Sequence, residues 1–143
     1  TTENTLNNLK KILGIIILLI LQSCYFGAGL VEKEITDDYF LFANNSLDEM
    51  SIWFHAEKYS NRLIVPETVF ALGENGDFII AKSHPRNIES GINKNVTYHH
   101  IIEVDKKSTE QSPNLTLEQF ENKRKELNIP KNLDFEIVYE ELK

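Results

Sequence analysis

The sequence predicts an α+β domain in which strands dominate, arranged as an antiparallel sheet meander with one C-terminal helix packed on it. Three observations lead to this prediction. Short runs of β-branched and aromatic residues recur between turn-forming clusters from Tyr39 to Val104. An Asn-Gly pair separates two of these runs, which is a strong hairpin signal. One segment, Thr116 to Asn128, carries the start and stop signals of a helix.

The first strands are predicted between residues 39 and 65. Tyr39–Ala43 is a short apolar run that ends in a cluster of turn-forming residues. The next run alternates over residues 50–55, so its apolar side chains share one face. The run 63–65 precedes a proline, which favours extended backbone before it.

A hairpin is predicted over residues 68–83. Two β-prone runs flank the sequence GENGD, and both of its glycines are assigned to the turn. Residues 84–95 lack periodicity and are predicted to form a loop. The strand pattern resumes over residues 97–104.

The helix has a well-marked beginning. Thr116 and Gln119 have the spacing of a capping box, and Leu115 and Phe120 have that of a hydrophobic staple. The apolar stripe expected along the helix consists of Leu117, Phe120 and Leu127. Asn128 and Pro130 then end the helix.

A last strand is predicted near the C-terminal end. Residues 135–140 alternate, which indicates that Phe135, Ile137 and Tyr139 point inward. This strand completes a single domain that we predict over residues 38–143.

The first 23 residues follow the order of a secretory signal peptide. Lys10 and Lys11 supply a basic region, and Ile12–Leu21 supplies an apolar segment. As a helix, this segment spans about 15 Å, which is half of a bilayer core of about 30 Å. We therefore expect a cleaved signal over residues 1–23. The alternative is an uncleaved helix over residues 12–31, which reaches spanning length but carries polar residues into the bilayer.

Leu21-Gln22-Ser23-Cys24 resembles the lipobox of bacterial lipoproteins, in which an aliphatic, a variable and a small residue precede a cysteine. The resemblance implies signal cleavage between Ser23 and Cys24 and attachment of diacylglycerol to the Cys24 thiol. It also implies a membrane-anchored protein of the bacterial cell envelope, with residues 24–37 as lipidated cysteine and tether and the domain outside the cytoplasm. The alternative is an ordinary signal followed by an incidental cysteine.

The charge of the chain excludes one class of partner. Removing Lys10, Lys11 and Glu3 with the signal leaves 13 basic and 21 acidic side chains, and the net charge changes from −7 to −8. Nucleic acids require a basic surface, so we expect no nucleic-acid partner. Electrostatic docking on anionic lipid is disfavoured for the same reason. Because Cys24 is the only cysteine, the domain itself has no disulfide and no thiol ligand.

The titratable residues form no recognisable catalytic or metal-binding motif. His99 and His100 are neighbours on a predicted strand, so one is expected inward and one outward, and they cannot chelate one ion. His84 is assigned to the loop. Adjacent acids such as Asp37 and Asp38 are typical of a solvated surface. We expect no metal, no cofactor and no enzymatic activity, because no nucleophile elbow, phosphate-binding loop or dinucleotide fingerprint is present.

Trp53, His55 and Tyr59 form a candidate aromatic recognition surface, although a half-buried strand tryptophan is more often a core residue. The stretches FIIAKS, YHHIIEVD and LTLEQFENKRKELNIP resemble small uncharacterised bacterial lipoproteins that share a domain of unknown function. The resemblance covers most of residues 38–130 and rests on packing patterns. It implies an exported lipoprotein and no catalytic residue.

These observations predict a lipid-anchored envelope protein whose small domain binds or supports a partner without catalysis. One alternative is an inhibitor or immunity-type module that binds a specific envelope protein. A second is a small hydrolase that uses dispersed acids or histidines, such as Asp77 or His100.

Overall fold

The computed structural model describes residues 1–8, 10, 29–57 and 60–143. The first sheet is an antiparallel meander in the order β1-β2-β3-β4. Its strands are β1 (Val31–Thr36), β2 (Tyr39–Ala43), β3 (Ser51–Glu57) and β4 (Ser60–Val65).

The rest of the domain forms a second sheet and a helix. The elements are β5 (Val69–Glu74), β6 (Phe78–Ser83), β7 (Arg86–Asn87), β8 (Gly91–Ile92), β9 (Tyr98–Glu103), α1 (Leu117–Glu126) and β10 (Glu136–Ile137). The second sheet has the antiparallel order β10-β5-β6-β9. The short strands β7 and β8 pair as a small hairpin inside the segment predicted to be a loop.

The two main sheets pack face to face on a shared hydrophobic core. From the first sheet it takes the alternating side chains of β2 and β3, including Leu41, Ile52 and Phe54. From the second sheet it takes Ile79 and Ile102, among others. The prediction of a strand-dominated α+β fold with one helix near the C-terminus is confirmed. The strands divide into two sheets because each sheet turns one apolar face to a common core.

The outer face of the second sheet carries α1. Its cluster consists of Ile80, Phe120, Ile129 and Leu133. The capping box is confirmed, since the Gln119 amide donates to Thr116 Oγ1 at 3.2 Å and the Thr116 amide donates to Gln119 Oε1 at 2.9 Å. Leu117 was predicted to belong to the apolar stripe of the helix, and this prediction is wrong because its side chain is 60% exposed. The helix α1 contacts the sheet along a stripe narrower than the sequence indicated.

The hairpin of β5 and β6 has two glycines with different functions. Gly76 lies in the turn with a φ of 88°, and Asn75 Oδ1 accepts hydrogen bonds from the amides of Asp77 and Phe78. Gly73, which was also assigned to the turn, lies instead within β5. A Cβ atom built there would be 2.1 Å from the carbonyl oxygen of Asp134. Position 73 therefore holds glycine because the chain that leads into β10 passes close to its Cα atom.

Two further predictions are corrected. Residues 31–36, predicted to belong to the tether, form edge strand β1, because Val31 and Ile35 pack against the shared core. The predicted strand 135–140 is reduced to two paired residues. Ile137 and Tyr139 were predicted to point inward, but they are 37% and 36% exposed, because Val138 between them packs against the shared core instead.

Candidate functional site

The residues predicted for lipidation and signal cleavage, Cys24 and Ser23, lie outside the described residues, as does Tyr59. Within residues 1–8, 10, 29–57 and 60–143, no helix is long and apolar enough to cross a membrane.

His99 and His100 are both buried, so the prediction of one outward-pointing histidine is wrong. Their side chains do point to opposite faces of the second sheet. His99 packs beneath α1, with its ring 5.2 Å from that of Phe120. His100 lies on the face that carries the shared core, opposite Ala81 of β6. Both are buried because the second sheet is covered on both faces, by the first sheet and by the helix.

Ser83 and His100 form a hydrogen-bonded pair that sequence reasoning missed. Ser83 Oγ and His100 Nε2 are 2.8 Å apart, the spacing of a nucleophile and its base. Both side chains are buried, and His100 is fully so. Burial, aided by the neighbouring His99, lowers the pKa of His100 to about 4. Because Ser83 is only 3% exposed and His100 is 0% exposed, a substrate does not reach the pair in this structure.

The other two histidines are also held by protein groups. His84 follows β6 and is buried, with its ring stacked 4.1 Å from that of Phe70 and Nδ1 2.7 Å from the Val96 carbonyl oxygen. His55 is exposed on β3, where it stacks 4.1 Å from Phe40. In the part of the chain that the structure describes, no three His, Cys, Asp or Glu side chains are grouped so that they could hold a metal ion.

The candidate aromatic surface lies on the outer face of the first sheet. Trp53 is half-buried, contacts Phe42 edge to face, and donates from Nε1 to Ser51 Oγ at 2.9 Å. His55 Nδ1 lies 2.7 Å from Asn61 Oδ1. Trp53 Nε1 and His55 Nδ1 therefore already have partners within the sheet, which makes the surface a weak candidate for recognition.

A groove at one side of the sandwich is a better candidate. Its volume is about 290 Å³, and its lining includes Val31, Ile35, Leu72, Glu74, Ile137 and Tyr139. We call it the edge groove, because it lies where β1 at the edge of the first sheet faces β5 and β10 at the edge of the second. Sequence reasoning missed it because it assigned β1 to the tether and turned the side chains near β10 inward. The available signal was that Val31 and Ile35 share one face of an extended segment, while Glu32 and Glu34 lie on the other face.

The opposite side of the sandwich is closed by the chain. The segment between β9 and α1 donates from the Ser112 amide to the Ile64 carbonyl of β4 at 2.8 Å. It also exchanges two hydrogen bonds between Leu115 and His99 of β9, at 2.9 and 3.0 Å. This segment therefore covers both sheet edges there, and β1 with β10 forms the open side among the described residues.

The described residues thus form two packed main sheets, with α1 covering the outer face of the second sheet and an edge groove at the side of β1 and β10. Residues 36–141 match the family described as "Protein of unknown function (DUF3997)", and the chain belongs to that family. The match begins at the last residue of β1 and extends into a short 3-10 helix, Glu140–Leu142. No curated protein and no solved structure matches the chain.

Proposed function

We propose that this chain is a lipid-anchored protein of the bacterial cell envelope whose domain binds a partner and catalyses no reaction. Support for the anchor comes from the lipobox-like sequence that ends at Cys24, directly after the apolar segment Ile12–Leu21. Each buried CH₂ group of an acyl chain contributes about 0.8 kcal/mol to membrane binding, so two or more chains hold a protein durably.

The observation that carries the binding role is the edge groove. It is concave, joins aliphatic side chains with charged ones, and lies at an edge of each sheet. Against catalysis stands the enclosure of Ser83 and His100, whose spacing would otherwise suit acyl transfer.

An inhibitor or immunity-type module is the second candidate. The acidity of the chain, with a net charge of −7, favours it because an acidic surface accelerates and orients the binding of a basic protein. Such a module requires one specific protein partner in the envelope. It shares with the first proposal both the anchor and a non-catalytic surface.

The anchor is tested by expressing the full chain beside a Cys24→Ala variant in a bacterial host. Both are partitioned between detergent and aqueous phases, and their intact masses are measured. We expect the unsubstituted chain to enter the detergent phase, to begin at residue 24, and to carry the mass of two or three acyl chains. The variant should keep its signal and carry no acyl mass. If both proteins remain full-length and partition alike, the lipid anchor is refuted and residues 12–31 act as an uncleaved helix.

A further inference from the structure

The edge groove has a backbone capable of pairing along its rim. Among the described residues, β1 pairs with β2 on one side and with no strand on the other. An unpaired edge exposes a row of amide and carbonyl groups, which is the usual template for adding a strand from another chain. β10, the edge strand across the groove, pairs through only two residues.

The floor of the groove is apolar. Val31 and Ile35 of β1 and Leu72 of β5 are half-buried against the shared core. Ile137 and Tyr139 add exposed apolar surface at the far rim. An extended segment lying along β1 would turn alternate side chains towards this floor, because side chains alternate along a strand.

The charge of the groove is strongly one-sided. Three acidic residues, Glu34, Glu74 and Glu136, line it together with one basic residue, Lys33. Glu74 accepts a hydrogen bond from the Gly76 amide at 2.9 Å. Within the described ranges, neither Glu34 nor Glu136 takes part in an ion pair. The charge that completes this site is therefore positive.

We propose that the edge groove binds an extended basic segment of a protein partner, which pairs with β1 as a fifth strand of the first sheet. On the face of the segment that turns inward, aliphatic side chains enter the groove and Lys or Arg side chains meet Glu74 and Glu136, while Lys or Arg side chains on the opposite face meet Glu34. A second copy of this chain is disfavoured as the occupant because each copy carries a net charge of −7. The chain's own segment 12–28 is uncharged and would leave the three acidic residues without positive partners.

The test uses the full chain in a nonionic detergent and a fluorescent peptide of about nine residues, the length of a long strand. Pairs of Lys and pairs of Val alternate along the peptide, so that each face of its extended form carries both residue types. We expect saturable binding that weakens as salt is added, because exposed charges are screened. Amide NMR shifts should concentrate on residues 31–36 and 136–139. A peptide with Glu in place of Lys should not bind, and one with Pro at alternate positions should bind far more weakly, because proline donates no backbone hydrogen bond.

Two matched triple variants test whether the acidic residues of the groove contribute to the affinity for the peptide. The triple variant Glu34→Gln, Glu74→Gln, Glu136→Gln should weaken binding by about tenfold, the sum expected of three exposed ion pairs. The control Glu89→Gln, Glu110→Gln, Glu118→Gln makes the same change of charge outside the groove and should retain the affinity of the unsubstituted chain.

Four outcomes would overturn the inference: no binding of the Lys-Val peptide at about 1 mM, equal binding of the acidic or proline peptide, equal weakening in both triple variants, or shifts outside the groove. Self-association through β1, detected by sedimentation, would also overturn it by making a second copy the occupant.

The inference rests on the binding role proposed above, but each can fail without the other. A partner cross-linked to a surface away from the groove would preserve the binding role and refute the site, whereas lipidation is measured independently by mass.

Discussion

Lowering the pH should destabilise this protein through His100. A double variant without this histidine should not show that part of the loss. In the folded chain the His100 ring is completely buried beside Ser83, and burial lowers its pKa from 6.5 to about 4. In the unfolded chain the ring regains its ordinary pKa. Below pH 6.5 the unfolded state therefore binds the proton more readily than the folded state. The stabilisation is complete above about pH 6.5 and is lost as the pH falls towards about 4.

The size of the effect follows from the two pKa values. A difference of one pKa unit corresponds to about 1.4 kcal/mol, so His100 should remove about 3 kcal/mol from the free energy of unfolding between about pH 7 and about pH 4. His99, whose pKa is also lowered by burial, adds to the loss in the same direction. Carboxylates titrate in this range as well, so the contribution of His100 is isolated by comparison with a variant.

The informative variant is His100→Leu combined with Ser83→Ala, which replaces both hydrogen-bonding partners by apolar groups and leaves neither unpaired. Urea unfolding of the full chain in nonionic detergent is followed by the fluorescence of Trp53, the only tryptophan. Between about pH 7 and about pH 4 the double variant should lose about 3 kcal/mol less than the unsubstituted chain. His55→Gln, at an exposed ring, serves as the control and should lose as much as the unsubstituted chain. Equal losses in the double variant and the unsubstituted chain would refute the burial of a neutral His100.

Three further predictions concern the packing around the second sheet, each checked by the free energy of unfolding in urea. Gly73→Ala should destabilise by about 1–3 kcal/mol, because its Cβ would meet the Asp134 carbonyl; an unchanged midpoint would contradict that close approach. Phe120→Ala should cost about 3–5 kcal/mol because it empties the cluster under α1, whereas Leu117→Ala, at an exposed position of the same helix, should change stability by less than about 1 kcal/mol. Similar losses in the two variants would show that α1 does not use Phe120 as its main contact. Thr116→Ala should cost about 1 kcal/mol through loss of the N-cap, while Thr116→Ser should restore most of it; no difference between Ala and Ser would exclude the capping role.

Features encoded in a few neighbouring residues were predicted correctly. The capping box depends only on Thr116 and Gln119, and the hairpin depends on the Asn75-Gly76 pair between two apolar runs. Strand β2 was predicted with the bounds that the structure has. These features form from interactions within one helical turn or one hairpin, so the local sequence carries enough information to specify them.

Features that depend on which part of the chain covers a strand could not be predicted from the local sequence. The alternation of residues 98–103 shows that His99 and His100 face opposite directions, but whether each direction is covered depends on where the first sheet and α1 pack. The reason for Gly73 is a carbonyl more than fifty residues away along the chain, at Asp134. No local pattern reports such a long-range approach.

By itself the sequence determined the class of the fold, the start of the helix, the main hairpin, and the lipobox-like segment on which the proposed anchor rests. The tertiary structure decided that the strands divide into two sheets and that His84, His99 and His100 are all buried. It also decided that, in the described part of the chain, the sandwich is closed at β4 and β9 but open at β1 and β10. The physical reason is the range of the interactions. Turns and caps form between residues close in sequence, whereas burial and an open edge arise only when distant segments compete to cover the same apolar surface.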